Sequence, residues 1–179
     1  MVTIYAGDGH GSGFFISKKG YLLTNEHVVR EANFVKVQLA TGREILGDVI
    51  KVNSKRDVAL IKVEESKVMA LPIKNGELNI GNEVYAIGSP LAEDLKTSVS
   101  KGIISAYRVR DNLKYIQSDV TILPGSSGGP LLDENGNVVG VSVSNIIFLG
   151  TPSGINFFIP IQDALFALNI KADLLWLDK

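Results

Sequence analysis

Residues Pro124–Gly136 read PGSSGGPLLDENG. Three glycines flank two serines, and Pro130 follows. Glycines this close together mark backbone that turns tightly or passes close to another group. Pro130 and the LLDENG that follows read as a short strand and a turn, not as a helix. Outward from here the pattern stays β. On the C-terminal side come NVVGVSVS and INFFIP; on the N-terminal side come EVYAIG, SVSKGIISAYRV and LKYIQSD. The first part of the chain repeats the theme in VTIY, GSGFFIS, GYLLT, VKVQL, REILGDVIKV and DVALIKV. β-Branched and aromatic residues dominate these runs, and Gly, Asn, Asp and Lys punctuate them. KKG (18–20) and ATG (40–42) read as hairpin turns.

Short strands with frequent turns predict a sandwich or barrel architecture. LPIKNGELNIGN (71–82) carries Pro, Asn-Gly and Gly-Asn signals, reads as a connection, and divides the strands into two halves. One helix is predicted near the end, where Ile161, Ala164, Leu165 and Leu168 repeat at helical spacing. Beyond it, KADLLWLDK (171–179) is a tail or linker. Its apolar residues Leu174–Leu177 suit a tail folded back on the body, a link to an additional domain, or self-association.

The chain has 179 residues, enough for one domain or two small lobes sharing a cleft. The formal net charge is −1, which gives no electrostatic reason to expect nucleic acid. No run reaches the roughly 18 apolar residues of a membrane span, and no targeting segment is visible in this chain. Cysteine is absent and there are two histidines, so no zinc or other metal site is expected. DENGN (133–137) resembles the start of a calcium loop, but Val138 stands where the loop requires glycine, so it reads as a hairpin turn. No cofactor is implied.

A serine hydroxyl needs a neighbouring base to become a nucleophile. His10 lies in GDGHGSG, a glycine-rich segment that reads as a loop, a poor place for a fixed base. His27, in LLTNEHVV, sits at the end of an apolar strand run that would hold it still. Asp57 opens DVALIKV, where a lone aspartate is ordinarily a cap or turn residue. Residues 125–129 fit G-x-S-x-G, the nucleophile elbow of α/β-hydrolases. That elbow runs directly into a helix, and its histidine follows the serine. Here a strand and turn follow, and both histidines precede Ser127, which rules the elbow out. The order His, Asp, Ser is another known solution of the same triad.

GSGFFIS, GYLLTNEHVV, DVALIKV, AIGSP, KGIISA, GSSGGPLLDENGNVVGV and GINFFIP together resemble, in order, the protease domain of the HtrA (Deg) group of chymotrypsin-fold serine proteases. The resemblance runs from about Val2 to Leu168. It implies an all-β fold of two antiparallel β-barrels with a C-terminal helix. The protease domain would span 1–170, with barrel one about 1–75, barrel two about 82–160 and the helix about 161–169.

The resemblance also assigns roles. His27 would be the general base, Asp57 its orienting carboxylate and Ser127 the nucleophile. The backbone N–H groups of Gly125 and Ser127 would form the oxyanion hole. Ser142–Ser144 would pair with an extended polypeptide substrate as an added strand. A pocket near Thr121, Ile122, Leu123, Val141, Ser142, Val143 and Asn156 would receive the side chain before the cut bond. Thr121–Gly125 carries no charge, so small aliphatic side chains are expected there. SPLAEDLKT (89–97) and NIIFLGTPSG (145–154) would be activation loops.

Family members carry PDZ domains after the protease, before which this chain ends, and many trimerise through a segment preceding the first strand. The expected location is extracytoplasmic. The rival expectation is a catalytically silent peptide-binding module of the same fold.

Overall fold

A computed structural model describes residues 1–65, 68–89, 98–143 and 154–170. Twelve strands are present among them. The first six are β1 (Val2–Ala6), β2 (Gly9–Ser17), β3 (Tyr21–Thr24), β4 (Phe34–Gln38), β5 (Glu44–Asn53) and β6 (Val58–Val63), with a one-turn helix α1 (Glu26–Val29) after β3. They close into an antiparallel barrel in the order β1-β2-β3-β6-β5-β4. The others are β7 (Glu83–Gly88), β8 (Ser98–Arg110), β9 (Leu113–Ser118), β10 (Pro130–Asp133), β11 (Val138–Val143) and β12 (Asn156–Pro160), followed by helix α2 (Ile161–Ala167). These close into a second barrel, β10-β11-β12-β9-β8-β7. The two-barrel fold with a C-terminal helix is the one the sequence led us to expect.

Side chains alternate across a strand, so each strand has an inward and an outward face. Phe15, Leu22, Ala59 and Ile61 point into the core of barrel one. Their neighbours Phe14, Ile16, Leu23 and Leu60 point the other way and are equally buried. Barrel two repeats this: Val139 and Phe158 fill its interior, while Val138, Val141 and Ile159 face outward into the same cluster as Phe14. Helix α2 adds Ile161, Ala164 and Leu165 to that cluster. Strands covered on both faces have no polar face to show. This is why Phe14–Ile16 and Val138–Val141 carry no polar side chain.

Two features expected as turns follow local chemistry. Gly20, in the KKG turn, has φ +83°, and a Cβ there would lie 2.2 Å from the Val63 carbonyl oxygen. Asp133 closes the β10–β11 hairpin. Its Oδ1 accepts from the backbone N–H groups of Asn135 (2.9 Å) and Asn137 (2.8 Å), and its Oδ2 from Asn137 Nδ2 (2.9 Å). Lys74 lies 3.3 Å away. The carboxylate is thus used up by its own turn. Burial raises its pKa, but the hydrogen bonds of Asn137, Asn135 and Lys74 outweigh this and hold it below the usual aspartate value.

His10 departs from expectation. It is not in a loop but on β2, opposite Tyr5, with the two ring centroids 6.0 Å apart. Glycine on both sides of it extends into strand because Gly11 and Gly13 pair with Ile4 and Val2. A Cβ on Gly13 would meet Ile4 at 2.6 Å, and one on Gly11 would meet Val28 at 2.5 Å. These glycines make room for close packing.

Gly20→Ala is expected to destabilise the protein by about 2–3 kcal/mol, since strain and a backbone clash add. Gly42→Ala, at φ +84° with nothing within 4 Å of the new Cβ, should cost only about 1 kcal/mol. Urea unfolding that reversed this order would contradict the packing described. Because the Asp133 carboxyl is depressed, its contribution is present above its unfolded value, about pH 3.9, and is lost as pH falls further. Asp133→Asn should flatten the pH dependence of unfolding between about pH 5 and 1.

Candidate active site

Three segments meet at the seam of the barrels. The first is the exit of β3. Asn25 is wholly buried, and the chain turns after it into α1, placing His27 in a helical turn and not at a strand end as the apolar run suggested. Val28 and Val29 anchor the turn in the core of barrel one.

The second segment is the turn before β6. Asp57 has φ +60°, the left-handed conformation that aspartate tolerates better than most side chains. Its carbonyl accepts from Asn25 Nδ2 at 2.9 Å. Its carboxylate grips His27 twice: Oδ1 accepts the His27 backbone N–H at 3.0 Å, and Oδ2 lies 2.8 Å from ring Nδ1. With Nδ1–H donating to a carboxylate, the ring presents Nε2 as a proton acceptor. The two side chains are 29% and 24% exposed, open enough for a reactant to reach the ring.

The third segment is Leu123–Gly129. Ser126 N–H donates to the Leu123 carbonyl at 3.0 Å, closing a turn with Pro124 and Gly125 at its centre. Gly125 has φ +94°. Proline followed by a positive-φ glycine is the signature of a type II turn. The next peptides are held individually. The Ser126 carbonyl accepts from Gly129 N–H (2.9 Å), and Gly128 N–H donates to the Ser142 carbonyl (3.0 Å). The N–H groups of Gly125 and Ser127 donate to no acceptor among the described residues. Two free donors in one rigid turn can hold a developing negative charge.

Ser12 binds this turn to barrel one, and its importance was not legible in the sequence. Its N–H donates to the Ser127 carbonyl at 2.7 Å, and its hydroxyl donates to the Gly125 carbonyl at 2.8 Å. The same oxygen accepts Ser89 N–H at 2.9 Å. Thr24 Oγ1 caps the Ser12 carbonyl at 2.7 Å. Gly128 passes so close that a Cβ would lie 2.3 Å from the Ser12 carbonyl oxygen and 3.0 Å from the Asn25 nitrogen. Ser127 is thereby set against the segment carrying His27. No hydrogen bond joins the Ser127 hydroxyl to the His27 ring among the described residues, and such contacts often tighten only when a reactant binds.

The expected pocket residues divide. Thr121, Ile122, Leu123 and Ser142 line a cavity of about 110 Å³ beside the turn, with Ile87 and Val99 among its other walls. No charged residue lines it among the described residues. Asn156 stands at the start of β12, its amide donating to the Val120 carbonyl at 2.8 Å. Val141 is fully buried in the seam cluster and is not among the residues that line this cavity. Ser142 is a correction, since its N–H and carbonyl already bond Gly129 and Gly128, so its backbone is not free to receive an added strand. Val143 pairs with Phe157 on β12. Ser144, the two expected activation loops beyond Ser89 and before Gly154, and the 171–179 tail lie outside the described residues.

Comparison with known proteins bears on the family and the fold. Two relatives carry the name probable periplasmic serine endoprotease DegP-like. The one from Hahella chejuensis is 43% identical over 168 residues, covering 91% of this chain and 35% of its own. The one from Halomonas elongata is 42% identical over 160 residues, covering 87% and 33%. This chain therefore spans about a third of the length of these relatives. Among solved structures, the serine endoprotease from Yersinia pestis superposes with a TM-score of 0.80 at 32% identity, over 97% of this chain and 62% of that one. The HtrA-type protease AlgW with tripeptide gives 0.83 at 30% identity, over 97% and 59%. Residues 11–141 match the trypsin-like peptidase domain. The chain belongs to that family, is similar to HtrA-type and DegP-like proteases, and has the chymotrypsin fold.

Proposed function

We propose that this chain is a serine endopeptidase domain that cleaves extended or unfolded polypeptide through an acyl-enzyme. The observation that carries the reading is the double grip of Asp57 on His27 beside a segment in which the N–H groups of Gly125 and Ser127 have no acceptor among the described residues. Ser127 Oγ attacks the substrate carbonyl while His27 Nε2 takes its proton. Asp57 keeps the ring oriented and stabilises its charged form. The carbonyl oxygen, now negative, falls to the N–H groups of Gly125 and Ser127. His27 then returns the proton to the leaving amine, and water repeats the sequence to free the acid. No metal or cofactor is required.

The uncharged walls at Thr121, Ile122 and Leu123 favour small aliphatic side chains before the cut bond. The relatives named as periplasmic support an extracytoplasmic location, and no helix among the described residues is long and apolar enough to cross a membrane.

A fluorophosphonate probe should label the chain at Ser127, and Ser127→Ala should abolish labelling; labelling that survives would overturn the nucleophile assignment. Tight peptide binding with no labelling would favour a silent peptide-binding module instead. Asp57→Asn should slow labelling by about 10⁴-fold. Ser12→Ala, which frees the Gly125 carbonyl, should weaken a peptide aldehyde by about tenfold or more while leaving the affinity for a product peptide nearly unchanged. In a peptide library, Val or Ala before the cut bond should exceed Lys and Arg, and a basic preference would refute the pocket reading.

A further inference from the structure

The turn that carries Asp57 is fastened to the other barrel. Arg56, its immediate neighbour, is only 4% exposed. Its side chain leaves barrel one and lies over the Tyr115 ring of β9, with the guanidinium carbon 4.7 Å from the ring centroid. Nη2 donates to the Lys114 carbonyl and, at 3.2 Å, to Asp163 on helix α2. The end of β5, which leads into this turn, is moored to the same helix and its C-terminal cap. Asn53 accepts the Arg56 backbone N–H at 2.9 Å and donates from Nδ2 to the Ala167 carbonyl at 3.0 Å. Lys51 Nζ donates to the Leu168 carbonyl at 3.1 Å.

This arrangement is costly. Nε and Nη1 of Arg56 are buried with no partner among the described residues, and unpaired buried donors ordinarily destabilise a fold. Burial also pulls the guanidinium below its ordinary pKa, against the opposing effects of Asp163 and Tyr115. A leucine or methionine could fill the same space without that penalty. What the cation alone supplies is direction: a planar group stacked on one residue and bonded to two others fixes the turn that follows it. That turn holds Asp57 at φ +60° with its carboxylate on His27.

We infer that Arg56 is a positioning residue whose guanidinium, held by Tyr115, Lys114 and Asp163, sets the turn that presents the Asp57 carboxylate to His27. Helix α2 thereby becomes part of the support of the reaction centre. The inference rests on the proposed role of Asp57.

The test uses the whole chain and a fluorophosphonate, comparing the limiting labelling rate with the half-saturating concentration. The proton on His27 Nδ1, held by a carboxylate, gives a downfield NMR resonance that Asp57→Asn should remove. In Arg56→Met the limiting rate should fall about tenfold or more with half-saturation changed less than about twofold, and the downfield resonance should broaden or vanish. Asp163→Ala should move both readouts the same way by less, and it decides the matter if Arg56→Met does not fold. Folded variants that keep the wild-type rate and resonance would overturn the inference while leaving the proposed function intact. A wild-type chain that is not labelled at all would remove both.

Discussion

Phe14, Leu23 and Leu60 point out of the first barrel, and Val141, Val143 and Ile159 point out of the second. Neither barrel could stand alone in water without exposing these faces. Their burial against each other and against helix α2 is the constraint on which the site depends, because His27 and Asp57 come from one barrel and Ser127 from the other. Apolar contact is non-directional, however, and would not by itself place a hydroxyl to within a few tenths of an ångström. That task falls to a small set of buried polar groups along the seam.

Ser12 is the centre of that set on one side. Its single hydroxyl answers both the Gly125 carbonyl and the Ser89 N–H, and its N–H answers the Ser127 carbonyl. Arg56 and Asn53 do comparable work on the other side, reaching from the Asp57 turn to β9 and α2. Buried hydrogen bonds contribute little net stability but are expensive to leave unmade. They therefore act as registration marks: a slip of one barrel against the other would strand several of them at once.

The candidate site was largely legible because its chemistry demands particular residue types in order. Two histidines left a short search, and the glycines around Ser127 could be read as backbone needing room. What misled was local context. His10 looked like a loop residue because glycines surround it, yet those glycines sit in a strand where Ile4, Leu23 and Val28 leave no space for a side chain. Val141 and Ser142 lie in the right strand, but alternation turns one into the core, and the loop after Ser127 occupies the backbone of the other.

A resemblance to a known family pointed to His27, Asp57 and Ser127 as candidates; by itself the sequence determined the strands, the turns and the C-terminal helix. These depend on periodicity, on backbone preference and on short-range order, all of which are written along the chain. Only the tertiary structure decided that Ser12 ties the Gly125 turn to barrel one and that Arg56 carries the Asp57 turn to helix α2. Those contacts join residues 113 and 107 positions apart. Serine and arginine are ordinary surface residues by type, and only the closing of two barrels onto one seam buries them and brings the Ser12 hydroxyl and Arg56 Nη2 to their partners.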